Sequence, residues 1–123
     1  MTVSEAVSAV DSLKPNAFSL QEKVSWLSEI DYQIFKEIIS THSGATISEF
    51  DGYDESVAGD TVLLAPPPYD SLYVKYLSAQ IDYYNNELAR YNNSAVMFNV
   101  AYMNFFNYYN RTHRPIGSKL KAD

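Results

Sequence analysis

Two histidines, His42 and His113, and five acids between residues 49 and 60 are the residues of this 123-residue chain whose types first suggest chemistry. Glu49, Asp51, Asp54, Glu55 and Asp60 stand in a stretch without a basic residue, TISEFDGYDESVAGDTVLLAPPP, and such a cluster invites a metal reading. Calcium loops need oxygen ligands at alternating positions ahead of a Gly and a Glu twelve from the start, and Asp51-Gly52-Tyr53-Asp54-Glu55 breaks that spacing. A solvated acidic loop is the reading that remains. The histidines fall in different segments, one at a helix end and one in the tail, with no Cys and no HExxH pair. Neither zinc ligation nor an activated nucleophile is assembled. Glu29 and Asp31, two apart on a predicted helix, point in different directions and read as solvating groups. The glycines Gly44, Gly52, Gly59 and Gly117 are scattered rather than gathered into a phosphate loop. Asn92-Asn93-Ser94 and Asn110-Arg111-Thr112 fit the glycosylation acceptor pattern, but they lie inside a predicted helix and behind no signal peptide. No enzyme, cofactor or metal is expected.

Composition narrows the class further. The chain length suits one domain with one core. Without Cys there is no disulfide framework, and a cytoplasmic chain is the default. The opening MTVSEAVSAVDSL lacks the basic and apolar regions of a signal peptide, and no run reaches the roughly 18 apolar residues of a spanning helix. A soluble, unprocessed chain with no membrane contact is expected. The net charge of −6 is unevenly spread: residues 1–110 hold five Lys or Arg against fourteen acids, whereas residues 111–123 hold Arg111, Arg114, Lys119 and Lys121 against Asp123. An acidic body does not offer a broad phosphate-neutralising face to nucleic acid. The basic tail reads instead as an arm for a partner, carried by a single domain over residues 1–110. Eleven of the aromatics are Tyr, which buries a ring while keeping a hydroxyl to satisfy, and that suits interfaces as well as cores.

These residues must be positioned by helices. Thr2-Val3-Ser4-Glu5 and Ser19-Leu20-Gln21-Glu22 both read as capping boxes. The first opens a short helix with Val3, Ala6, Val7 and Val10 on one face, stopped by Lys14-Pro15-Asn16. The second opens a helix of about 20 residues, with Leu20, Val24, Leu27, Ile30, Ile34 and Ile38 at helical spacing, His42 at its end and Gly44 as a left-handed cap. Between Ala45 and Pro68 two β-prone pieces, Thr46–Phe50 and Thr61–Leu64, predict a small hairpin within a loop at about 45–65. Pro66-Pro67-Pro68 reads as a stiff extended lead and Asp70 as an N-cap.

From Tyr69 to Thr112 there is neither Gly nor Pro, and a heptad seam runs through Val74, Leu77, Ile81, Tyr84, Leu88, Tyr91, Ala95, Phe98, Tyr102, Phe105 and Tyr109. This predicts one helix of about 40 residues, about 60 Å long, continuous or gently kinked near Asn92–Ser94; two helices meeting there is the alternative. The seam reads as core. Between residues 83 and 110 the only charges are Glu87 and Arg90, while Asn85, Asn92, Asn99 and other Asn fill much of the remaining surface. Asn is a mediocre helix former, so this uncharged side reads as an intersubunit interface, with Tyr108 included. The fold class is mainly α: a helical bundle with one long C-terminal helix.

The run PYDSLYVKYLSAQIDYYNNELARYNNSAVMFNVAYMNFFNYYNRTHRP, with the opening SEAVSAVDSLKPNAFSLQEKVSWLSEID and IISTHSG, resembles small head-tail connector (adaptor) proteins of tailed bacteriophages and prophages of Gram-positive hosts. The resemblance rests on overall pattern over most of the chain and has no catalytic signature. It implies a virion neck protein assembled in the host cytoplasm, a helical subunit of a ring, typically of twelve, beneath the portal. It implies that the ring continues the DNA channel without sequence-specific binding and meets a head-completion, stopper or tail protein on its other side. By region, Arg111, His113, Arg114, Lys119 and Lys121 become the portal-contacting arm, and the acidic loop faces the channel or the next ring. A non-catalytic helical binding module or regulator is the alternative.

Overall fold

The computed structural model describes residues 1–54, 56 and 59–116. It is mainly helical and ends in a long helix, as the sequence predicts. Helix α1 spans Val3–Leu13 and α2 spans Leu20–Ile34, which continues through a π-helical turn at Phe35–Ile39. Helix α3 spans Ser71–Tyr84 and α4 spans Leu88–Thr112.

Both capping boxes form. The Thr2 hydroxyl accepts from the Glu5 N–H at 3.1 Å while the Glu5 carboxylate accepts from the Thr2 N–H at 2.8 Å. Ser19 and Glu22 repeat the exchange at 3.1 and 3.0 Å. Each satisfies donors that a helix start leaves orphaned. Gly44 takes the expected left-handed φ of 82°, but it lies four residues beyond Ser40, which caps the second helical segment in its place.

The run from Tyr69 to Thr112 departs from the expected continuous helix: it folds back on itself seven residues before Asn92. Asn85 caps α3, Asn86 sits in the left-handed region at φ 58°, and the Asn86 and Glu87 N–H groups return to the carbonyls of Tyr83 (3.1 Å) and Asp82 (3.0 Å). This is a Schellman closure with Asn where Gly is commoner. α3 and α4 then lie antiparallel, with Tyr76 against Phe98 (5.1 Å between ring centroids) and Tyr69 against Phe105 (5.9 Å) and Tyr108 (4.6 Å). The heptad register survives the reversal because each helix buries its own half of the seam against the other. Seam residues at the bend are the exception: Tyr84 is 56% exposed and Leu88 62%. Tyr91 and Phe98 are half-buried, whereas Leu77, Ile81, Tyr102 and Phe105 are buried.

α3 is central, packed on α1 and α2 as well as α4. The core unites the predicted stripe of α1 (Val3, Ala6, Val7, Val10) with that of α2 (Val24, Leu27, Ile30, Ile34), and with Leu72, Leu77, Ile81 and Phe105 of the hairpin. Each Val, Leu, Ile or Phe among them contributes roughly 1.5–3 kcal/mol by burial. Leu20 lies outside it, exposed at the start of α2.

No hairpin forms among the described residues of the 45–65 segment. Its second β-prone piece pairs with the N-terminal residues instead: the Val3 N–H donates to Thr61 O and the Leu63 N–H to Met1 O, both at 2.9 Å. That register buries Leu63 and Ala65 in the core. The prolines turn rather than extend, with a cis Pro67–Pro68 peptide and the Tyr69 N–H donating to Pro66 O at 2.8 Å. Asp70 occupies the N-cap position of α3, but its carboxylate takes the terminal amine of Met1 (3.2 Å) rather than a helix N–H.

Candidate functional site

The acidic residues sort into two kinds. Glu49, Asp51, Asp54 and Asp60 are exposed, as a solvated loop requires, and Glu55 lies outside the described residues. Asp31 is not a solvating group: it is fully buried, because it stands on the same stripe as Leu27 and Ile34 of α2 and Ile38 of the π-helical turn. Its carboxylate accepts from the Tyr73 hydroxyl (2.5 Å), the Tyr53 hydroxyl (2.6 Å) and the Leu64 N–H (3.0 Å). The Tyr73 hydroxyl in turn accepts from the Ala65 N–H at 2.7 Å. One carboxylate thus ties α2, α3 and both halves of the 45–68 loop together. Burial pushes its carboxyl above the usual aspartate range against the three donors, and burial beside Asp31 pushes both phenols upward.

A second buried acid, Asp82, receives Lys14 Nζ at 2.6 Å on both oxygens and the Ser94 hydroxyl at 2.6 Å, joining the end of α1 to α3 and α4. His42 is buried and serves the same purpose at the other end. Its ring nitrogens meet Ile38 O and the Asn110 side chain, both at 2.6 Å, so it fastens the π-helical turn to α4. Among the described residues no buried side-chain nitrogen or oxygen lacks a hydrogen-bond partner, and no group of three or more His, Cys, Asp or Glu is placed to hold a metal ion. The polar interior is devoted to joining elements.

The expected arm divides. Arg111 belongs to α4, and His113 stacks on Tyr109 at 3.8 Å. The Arg114 carbonyl accepts from the Ser43 N–H and the Ile116 N–H donates to Thr41 O, both at 2.8 Å. Residues 113–116 are therefore fixed on the body, with the Arg111 and Arg114 side chains exposed. Lys119 and Lys121 lie outside the described residues.

Of the residues read as an interface, Asn85, Asn92 and Asn99 are exposed. Tyr108 is half-buried and stacks on Tyr69 within its own chain. What the sequence did not single out is the apolar content of the same surface: Val96, Met97, Val100 and Met103 are all about half exposed or more. The helical spacing of these four positions, outside the heptad seam, was the available signal. From Tyr91 to Asn110 the helix carries no charged residue. Beside it, two shallow cavities of about 360 and 470 Å³ lie between α3 and α4 and share Ser71 and Lys75 in their walls.

Comparison with protein-family models, curated proteins and solved structures finds no match to this chain. Among the described residues no helix is long and apolar enough to cross a membrane.

Proposed function

We propose that the chain is a structural assembly protein, a head-tail connector (adaptor) subunit of a tailed bacteriophage or prophage. In this reading it forms a ring, of twelve by the resemblance, between the portal and a head-completion, stopper or tail protein in the virion neck. DNA passes through the lumen without sequence-specific contact. The observation that carries the reading is the outer surface of α4, where twenty consecutive residues from Tyr91 to Asn110 are uncharged while Val96, Met97, Val100 and Met103 stand exposed among Asn side chains. Contiguous exposed apolar surface rimmed by polar groups marks interaction sites. The internal ties at Asp31, Asp82 and His42 favour a rigid block over a catalytic cleft, and rigid blocks suit repeated assembly.

The test is to mix the purified chain with the portal protein of the same gene cluster and examine the product by light scattering and electron microscopy. A ring seated on the portal is expected. A monomer or dimer that leaves the portal unchanged means a free-standing binding module or regulator instead.

A further inference from the structure

The two cavities beside α4 form one groove, joined at Ser71 and Lys75 and running from Ser94 to Arg111, about 25 Å along the helix at 1.5 Å per residue. Leu13, Val74, Met97 and Val100 give it apolar walls, and Lys75 and Arg111 give it positive charge. The acids nearest it are already engaged: Asp70 holds the terminal amine and Asp82 holds Lys14. Lys75 and Arg111 are in none of the ion pairs among the described residues, which use Lys14, Lys23, Arg90 and the terminal amine.

The opposite side of the subunit has the complementary character. At about 100° per residue, Lys75 lies about 200° round α3 from Tyr73, and Ser78 about 200° from Tyr76. Tyr73 and Tyr76 are the residues whose hydroxyls reach Asp31 and Glu29 of α2 (2.5 and 3.4 Å). The outer face of α2 therefore looks away from the groove. It presents Glu22 and Glu29, with Asp51 beside them, around the small residues Ser25 and Ser28 and the exposed ring of Tyr32. Lys36 lies on this side with its Nζ 5.5 Å from the Tyr32 ring centroid. α2 is 15 residues long, about 22 Å, which matches the groove.

We propose that the α3/α4 groove receives the α2 face of a second copy of the chain, head to tail. This rests on the connector reading above and names the contact from which the ring is built. A heterologous contact of this kind closes into a ring when its rotation divides a full turn. Complementary charge fixes partner and register, while the apolar walls take Tyr32 out of water. An acidic subunit that would otherwise repel its copies gains one place where it attracts them.

The experiment uses two charge-reversed forms of the full chain, Lys75→Glu/Arg111→Glu and Glu29→Lys/Asp51→Lys, with assembly followed by light scattering. Each form alone carries like charges on both faces and should associate at least tenfold more weakly than the wild type. An equimolar mixture restores both contacts and should assemble again, with the two forms alternating. Wild-type assembly should weaken as salt is raised. Unchanged circular dichroism and melting temperature establish that each form folds, and rescue in the mixture establishes it independently. If either form assembles alone as well as the wild type, or the mixture fails to recover, this contact is wrong; the connector reading survives if the wild-type ring still binds the portal. If the contact behaves as described but no portal binding occurs, the inference stands and the connector reading falls. A wild-type chain that stays monomeric with and without the portal overturns both.

Discussion

Asp31 shows how much one side chain can organise. Three donors from three segments converge on it, and removing the carboxylate leaves the Tyr73 hydroxyl and the Leu64 N–H without their acceptor inside the protein. Asp31→Ala is expected to lower stability by about 2–4 kcal/mol, since each buried unsatisfied group costs about 1–3; a urea midpoint unchanged within error would show that the network carries no weight. Asp31→Asn separates shape from charge. Because burial raises the folded carboxyl above its unfolded value, the native state binds the extra proton between the two values, so stability from this group is fully present below about pH 3.9 and lost as pH rises through the folded value. The wild type should therefore gain stability relative to Asp31→Asn on acidification across that window. A flat difference between the two pH profiles, or one of opposite slope, would refute the assignment. The sequence held a sign of this role. Asp31 falls four residues after Leu27 and three before Ile34, on an apolar stripe where an acid has to be paired. The partners were invisible because Tyr53, Leu64 and Tyr73 are local neighbours of nothing in α2; only the folded loop brings them there.

At the scale of elements, the αα-hairpin depends on one backbone conformation. Asn86 at φ 58° is tolerated because a short amide side chain suits the left-handed region better than most. Asn86→Gly is expected to stabilise the protein by up to about 1 kcal/mol, and Asn86→Val to destabilise it by about 1–2 kcal/mol, read from denaturant midpoints. Equal stability in the two variants would mean that the bend does not govern the fold. Gly52 is a sharper case: its φ is 91°, and an added Cβ would lie 2.6 Å from the Ser28 hydroxyl, which accepts from the Tyr53 N–H at 2.9 Å. Gly52→Ala should therefore loosen the loop from α2 and expose Tyr53, seen as faster amide exchange over residues 50–54 than in the wild type. Local signals determined what was legible here. Both capping boxes, the Pro15 stop and the left-handed backbone at Gly44 were readable because each acts within a few residues, although the helix itself is capped at Ser40 rather than at Gly44. The reversal at Asn85–Glu87 was not, because the heptad count passes through a hairpin unchanged when both arms bury the same phase. Nor was the pairing of residues 61–63 with residues 1–3, a contact chosen by the burial of Leu63 rather than by strand propensity.

At the scale of the whole molecule, two sides of the same helix make opposite predictions. Phe105 is fully buried among Tyr69, Tyr108 and Tyr109, so Phe105→Ala removes a ring that nothing nearby can replace and should cost about 3–5 kcal/mol. That change threatens folding and takes any assembly down with it. Met97 and Val100 point outward from the same α4, 55% and 56% exposed, and line the groove. Met97→Lys/Val100→Lys should shift stability by no more than about 0.5 kcal/mol per site, the range of surface substitutions away from special features. If these side chains are exposed only until a second subunit arrives, the same variant places two ammonium groups where apolar contact is needed, and light scattering should show assembly reduced at least tenfold with the melting temperature shifted by no more than about 5 °C. The reverse outcome is equally readable. A double-Lys form that assembles like the wild type would show that the uncharged face of α4 meets only water, and the feature that most favours an assembly protein would lose its meaning.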